Sequence, residues 1–138
     1  MAVDSKLSWA GVQAAMDGLG TALSSGYLRI YDNNTSVPTN ADDSNSTNVL
    51  LAELRFASVA FGDCDATGTI TANALTPEYA AVASGTPAYA RYYQSDGTTC
   101  LYQGTAGTAS CDVILDQATI TASEVVVADS VTMTGIRE

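Results

Sequence analysis

PAYARYYQSDGTTCLYQGTAG, residues 87–107, is the stretch from which the fold class is read. It predicts a β-hairpin. One arm, residues 88–93, is rich in tyrosine, and aromatic side chains favour a pleated, half-buried surface. Asp96-Gly97 then supplies the positive φ angles that a tight turn needs. The return arm covers residues 99–103.

Working outward from the hairpin, further strands are expected at 27–31, 49–56, 67–74, 111–115, 118–121, 124–127 and 129–134. In 27–31, Leu28 and Ile30 point one way, and Tyr27, Arg29 and Tyr31 the other. The 49–56 segment is more continuously apolar, which predicts a central strand. Val125, Val126 and Val127 read as a buried run. Residues 32–48 are polar, with one Pro and several Asn and Asp, and predict a long surface loop. Loops of this length in compact domains are either functional or disordered. Residues 104–110 are expected to form another loop.

Residues 5–23 predict a helix, because Trp9, Val12, Met16, Leu19 and Leu23 recur at spacings of three and four. Asp4 or Ser5 would cap its start, and Gly18, Gly20 and Ser24-Ser25-Gly26 would weaken and end it. Two roles stay open for it. It packs on its own sheet, or it is an arm that docks on a neighbouring subunit through Trp9, Val12, Met16 and Leu19. The expected architecture is all-β: an antiparallel β-sandwich or jelly roll of about eight strands with an N-terminal helix. Residues 1–26 form the helical arm and residues 27–138 the sandwich.

The chain has 138 residues, suited to one domain. Five Lys and Arg face fifteen Asp and Glu, a formal net charge of −10. Such a surface repels nucleic acid, whose non-specific affinity comes from cations neutralising phosphates. It equally disfavours anionic lipid, so neither nucleic acid nor membrane is an expected partner. No apolar run is long enough to span a bilayer. Residues 1–6 lack the features of a secretory signal, so synthesis in a cytoplasm is expected.

The chain contains no His, which removes the commonest general base and transition-metal ligand. No cofactor, metal site or catalytic residue is expected. Asp63-Cys64-Asp65 with Gly68 approaches a calcium loop but lacks the later oxygen ligands and the closing Glu. Asp42-Asp43 reads as a solvated acidic tip. Glu53 would need Arg29, Arg55 or Arg91 as a partner if it faced the core. Asn33-Asn34-Thr35 and Asn45-Ser46-Thr47 match the glycosylation acceptor pattern, but without a secretory signal they are ordinary polar loop residues.

Cys64, Cys100 and Cys111 are odd in number, so they are not a complete disulfide framework. Cys100 and Cys111 flank an expected turn between Thr105 and Ala106. They would then oppose one another on antiparallel strands, either as a bridge or as two buried thiols. Tyr89, Tyr92, Tyr93 and Tyr102 offer two readings: a binding face for sugars or protein, or a cross-strand aromatic ladder.

Residues 25–32 (SGYLRIYD), 50–54 (LLAEL), 95–99 (SDGTT) with Gly104 and Gly107, and the ending 122–134 occur in an order that resembles a family of small tailed-bacteriophage virion proteins encoded among head and tail genes. The resemblance implies a structural component of the particle and no enzyme. It carries over no functional residue. Where the family pattern leads one to expect aliphatic residues, this chain has Cys100 and Cys111, which supports the bridge. Within the virion, the expected role is a capsid decoration, or cement, protein on the outside of the shell. It would bind the major capsid protein as a homo-oligomer, a trimer being favoured, after assembly in the host cytoplasm. The alternative is a tail, collar or fibre protein that contacts the host receptor. A bacterial adhesin is a third class.

Overall fold

The structure, a computed structural model, describes residues 7–34 and 36–135. The protein is mostly β with one N-terminal helix. The elements are α1 (Trp9–Ala22), β1 (Tyr27–Asp32), β2 (Leu50–Arg55), β3 (Thr69–Thr71), β4 (Pro87–Tyr93), β5 (Cys100–Gly107), β6 (Val113–Leu115) and β7 (Ala128–Thr134).

The hairpin forms as the sequence predicts. Gly97 takes φ +73°. Asp96 Oδ1 accepts from the amides of Thr98 and Thr99, both at 2.9 Å, and Asp96 Oδ2 accepts from the Thr99 hydroxyl at 2.6 Å. The hydroxyl and these amides favour the ionised carboxylate and hold its pKa down at about 2. β4 and β5 pair antiparallel, Tyr92 opposite Tyr102 and Ala90 opposite Gly104.

The strands form one sheet in the order β2-β1-β4-β5-β6-β7-β3, curled into a half-barrel. Two expectations change here. The ladder is a single mixed sheet, because β5 and β6 run parallel. And β2 ends the strand order instead of lying at its centre. Its apolar character has another cause. Residues 76–85 cover its open edge: Arg55 and Thr76 exchange backbone bonds of 3.1 and 2.9 Å, and Val82 N donates to Leu51 O at 2.8 Å. The same segment then bonds residues 120–126, with Glu78 exchanging bonds with Val126 and Gly85 with Ile120. An edge covered in this way is closed to further strands. The residues expected as strands at 118–121 and 124–127 are therefore bridges to this cover, and of Val125–Val127 only Val126 is buried.

The core lies inside the curl. It includes Leu28, Ile30, Leu51, Leu54, Phe56, Ile70, Tyr92, Val113, Leu115, Val131 and Met133. Helix α1 belongs to this core: Val12, Met16 and Leu23 are buried and Leu19 packs against them. Its cap is Ser8, whose side chain accepts from Gly11 N at 3.0 Å; Asp4 and Ser5 lie outside the described residues. Gly20 faces Phe61 and Ile70, where an added Cβ would come within 3.0 Å of Phe61. Burying each large apolar side chain contributes roughly 1.5–3 kcal/mol. That outweighs the cost of about 1 kcal/mol for each glycine in the helix. The helix thus forms because it packs. Val12, Met16 and Leu19 pack inside their own domain, the first of the two roles the sequence leaves open for this helix, and Trp9 rests with its ring against Gly68.

Candidate functional site

β1 and β4 sort their residues by alternation. Leu28 opposite Tyr92 and Ile30 opposite Ala90 face the core, while Tyr27–Tyr93, Arg29–Arg91 and Tyr31–Tyr89 form three cross-strand pairs on the outer face. β2 extends two of these rows with Arg55 beside Tyr27 and Glu53 beside Arg29. β5 extends the other side with Gln103 beside Arg91 and Thr105 beside Tyr89.

The outer face gathers Arg29, Arg55 and Arg91. The chain's other two cations, Lys6 and Arg137, lie outside the described residues. Arg29 Nε donates to Glu53 Oε2 at 2.7 Å. Its guanidinium lies 4.5 Å from the Tyr93 ring centre and 5.6 Å from that of Tyr27, while Arg55 lies 4.4 Å from Tyr27. Burial works against the charge on Arg29, but Glu53 outweighs it and the pKa is raised. The pair is part exposed, so its net contribution is about 0–1 kcal/mol. Glu53 accordingly sits on the outer face with Arg29 as its partner.

The long polar loop, residues 33–48, is fastened to this face. Its ends meet where Asp32 N donates to Val49 O at 3.1 Å and Val49 N donates to Asp32 Oδ1 at 3.0 Å. Such closure makes it an Ω-loop. Arg91 lies beneath it, 4 % exposed. Arg91 Nη2 donates to Asp43 O at 2.6 Å and Asn40 O at 3.3 Å, and Nε to Gln103 Oε1 at 2.9 Å. Gln103 Nε2 completes the clamp on Pro38 O at 2.7 Å. The loop also braces itself: Asp43 Oδ2 accepts from Asn40 N, and Asn40 Oδ1 from Asp42 N. Asp42, Asp43, Ser44, Ser46 and Thr47 are exposed along its outer side.

The four tyrosines singled out in the sequence do not share one surface. Tyr92 and Tyr102 meet on the inner side in an edge-to-face contact at 5.0 Å, and Tyr92 Oη donates to Thr132 O at 2.8 Å. Tyr89 and Tyr93 belong to the outer face and are buried there. The physical reason is the period of two: Tyr92 and Tyr93 are adjacent in sequence and must point oppositely. Tyr89 stacks instead on Tyr31, ring centres 5.2 Å apart.

Cys64, Cys100 and Cys111 are free. The turn expected between Thr105 and Ala106 is the body of β5. Cys100 and Gly107 stand at its two ends, about 20 Å apart at the rise of an extended strand. Cys111 lies beside Gly107, where its Sγ is 2.9 Å from the position of an added Cβ. The Cys100–Cys111 bridge is thereby corrected. Asp65 closes a local turn, its Oδ1 accepting from Thr67 N, Thr67 Oγ1 and Thr69 N. Among the described residues no group of three metal-ligating side chains converges. Thr35, and with it the first glycosylation pattern, lies outside the described residues.

The tyrosines make an alkaline prediction. Burial is the main cause that pushes the Tyr31 hydroxyl up to about 12, and it also raises Tyr89, Tyr92 and Tyr102. A phenol is neutral when protonated. A folded pKa above the ordinary 10 therefore stabilises the fold below pH 10, and this contribution is lost as pH climbs from 10 towards about 12. Tyrosinate absorbance and circular dichroism should change together in this window. Ionisation of these four hydroxyls ahead of any structural loss would contradict their burial.

Comparison of the chain with protein-family models, curated proteins and solved structures finds no match.

Proposed function

We propose that the chain is a structural component of a tailed-bacteriophage particle, a decoration protein bound to the outer surface of the capsid. In this reading it binds the major capsid protein, acts as a homo-oligomer with a trimer favoured, and is made in the host cytoplasm. The observation that carries the reading is the segregation of charge. Fifteen acids face five bases, and the three described arginines are engaged on one sheet face by Glu53, tyrosine rings and backbone carbonyls. A body so charged is repelled by packaged DNA and suits the exterior of a shell. The resemblance supports the same reading: its segments fall on β1, β2, the β4–β5 turn with β5, and β7 with its approach. The curled sheet is proposed as a variant of the expected sandwich or jelly roll, closed around one core by residues 76–85. Binding only to the assembled lattice would stabilise that lattice by mass action.

Quantitative mass spectrometry of purified particles tests this. Copy number near that of the major capsid protein is expected. A few copies per particle would move the chain to a vertex, collar or tail, and absence from the particle would defeat both readings. One observation favours the tail, collar or fibre alternative: the 33–48 loop is held in a fixed shape with its polar side exposed, as recognition loops on rigid scaffolds are. That alternative requires the isolated protein to adsorb to host cells and block infection.

A further inference from the structure

Residues 76–86, which cover the edge of β2, and residues 118–126, which bond to them, share one surface. Backbone bonds pin it on both sides. Val82 N donates to Leu51 O at 2.8 Å, Ala81 N to Glu124 O and Ser123 N to Ala81 O, both at 2.9 Å. Ala122 N also donates to Ser84 Oγ at 2.8 Å. Ala81, Ile120 and Val126 turn inward and are buried. Their neighbours turn outward: Tyr79 is 67 % exposed, Val82 57 % and Val125 48 %. Tyr79 follows Glu78 and Val125 precedes Val126, so the antiparallel bridge between Glu78 and Val126 sets the two side by side. None of the three belongs to the core. Charge also sets this surface apart. Residues 79–90 and 117–123 contain no charged residue, in a chain of net charge −10. The two carboxylates that border it are turned onto amides. Glu78 accepts from Glu53 N and Ala80 N, each at 3.2 Å, and Glu124 Oε1 accepts from Thr121 N at 2.6 Å and from the Gln117 side chain.

We propose that Tyr79, Val82 and Val125 are the centre of an interface with a second copy of this chain. The proposal names the contact surface of the homo-oligomer in the reading above, and in that respect rests on it. Charge selects the occupant. Two copies of so acidic a body repel one another over most approaches. They can meet where the surface is neutral and its border carboxylates are already bonded. A basic partner would instead be drawn to the acidic faces. Charge depletion around an exposed aromatic and aliphatic centre is also the composition of interface cores. The pinned backbone means that little further ordering is needed on contact.

Sedimentation velocity of the full chain at low and moderate salt tests this. An oligomer is expected, and its association should strengthen as salt screens the repulsion between the acids. Val125→Lys should weaken association by about tenfold or more. It should leave Tm unchanged, because the side chain is exposed. The added cation makes the chain less acidic, so general repulsion cannot explain such a loss. Tyr79→Lys repeats the measurement should Val125→Lys melt early. Val59, 66 % exposed and outside both segments, supplies the control. Val59→Lys should assemble as the parent protein does. A monomeric parent at both salts, a Val125→Lys protein that keeps the parent's mass, or an equal loss in Val59→Lys would each overturn the proposal. A monomer whose binding to capsids is abolished by Val125→Lys would overturn it too, and assign the surface to the capsid. Copy number in the particle is read separately. A monomeric chain found at high copy would sink this interface and leave the exterior placement standing; an oligomer absent from the particle would do the reverse.

Discussion

Gly26→Ala is expected to destabilise the protein by about 3 kcal/mol or more, enough to lower Tm by roughly 10 °C. Gly26 is the joint between α1 and β1. An alanine Cβ there would sit 2.1 Å from Tyr93 O and 2.8 Å from Leu23 O. Both are backbone atoms, so no side-chain rotation relieves the clash. The backbone groups of the joint are also in use. Gly26 N donates to Leu23 O, and Gly26 O accepts from Phe56 N, each at 2.9 Å. Moving the joint would disturb the helix end and the pairing of β1 with β4 together. Gly18→Ala is the control. Gly18 is exposed in the same helix with nothing within 4 Å of an added Cβ. That change should stabilise by up to about 1 kcal/mol, because alanine is the better helix former. Circular dichroism melts of the two variants should therefore shift in opposite directions. Equal shifts would mean that the α1–β1 joint is looser than described.

The contrast between these two glycines bears on what a sequence can reveal. Both read as helix-weakening glycines in the sequence, but Gly18 lies inside α1 while Gly26 lies in the joint after it, where the carbonyls of Tyr93 in β4 and of Leu23 close in. The hairpin was legible because its determinants are local: Asp96 and Gly97 complete the turn within four residues. The alternation of β1 was legible for the same reason. β2 was misplaced because an apolar run reports burial, and burial does not say whether a strand or an irregular segment supplies the cover. The GTAG run at 104–107 looked like a turn by composition, yet it is strand. Gly104 is small there because Asp112 presses against it, its Oδ2 lying 2.8 Å from the position of an added Cβ. Asp112 also accepts from Thr105 N at 2.9 Å and donates its own amide to Thr105 Oγ1 at 3.1 Å. That clasp turns the chain into the parallel strand β6 and separates Cys111 from Cys100. No pattern of glycine and threonine announces it.

The loop clamp was the least legible part of the site, and it yields the second large effect. Arg91→Ala is expected to cost about 2–4 kcal/mol, since bonds from a charged donor contribute more than neutral ones. The sequence offered Arg91 only as a partner for Glu53. Its actual acceptors, Asp43 O and Asn40 O, lie 48 and 51 residues away and are backbone carbonyls, which every residue possesses. In the alanine variant these carbonyls lose their donor beneath the loop. They can regain hydrogen bonds only if the loop lifts and admits water. The damage should therefore be concentrated in the loop: amide hydrogen exchange across 37–48 should accelerate far more than exchange in β1 and β4. Arg91→Lys should restore little, because an ammonium lacks the planar fork that reaches Gln103 through Nε and the loop through Nη2. Exchange in 37–48 unchanged by Arg91→Ala would show that the loop holds its shape without the clamp. Acceleration concentrated in 37–48 would show that one buried arginine fixes the exposed surface over the tyrosine face.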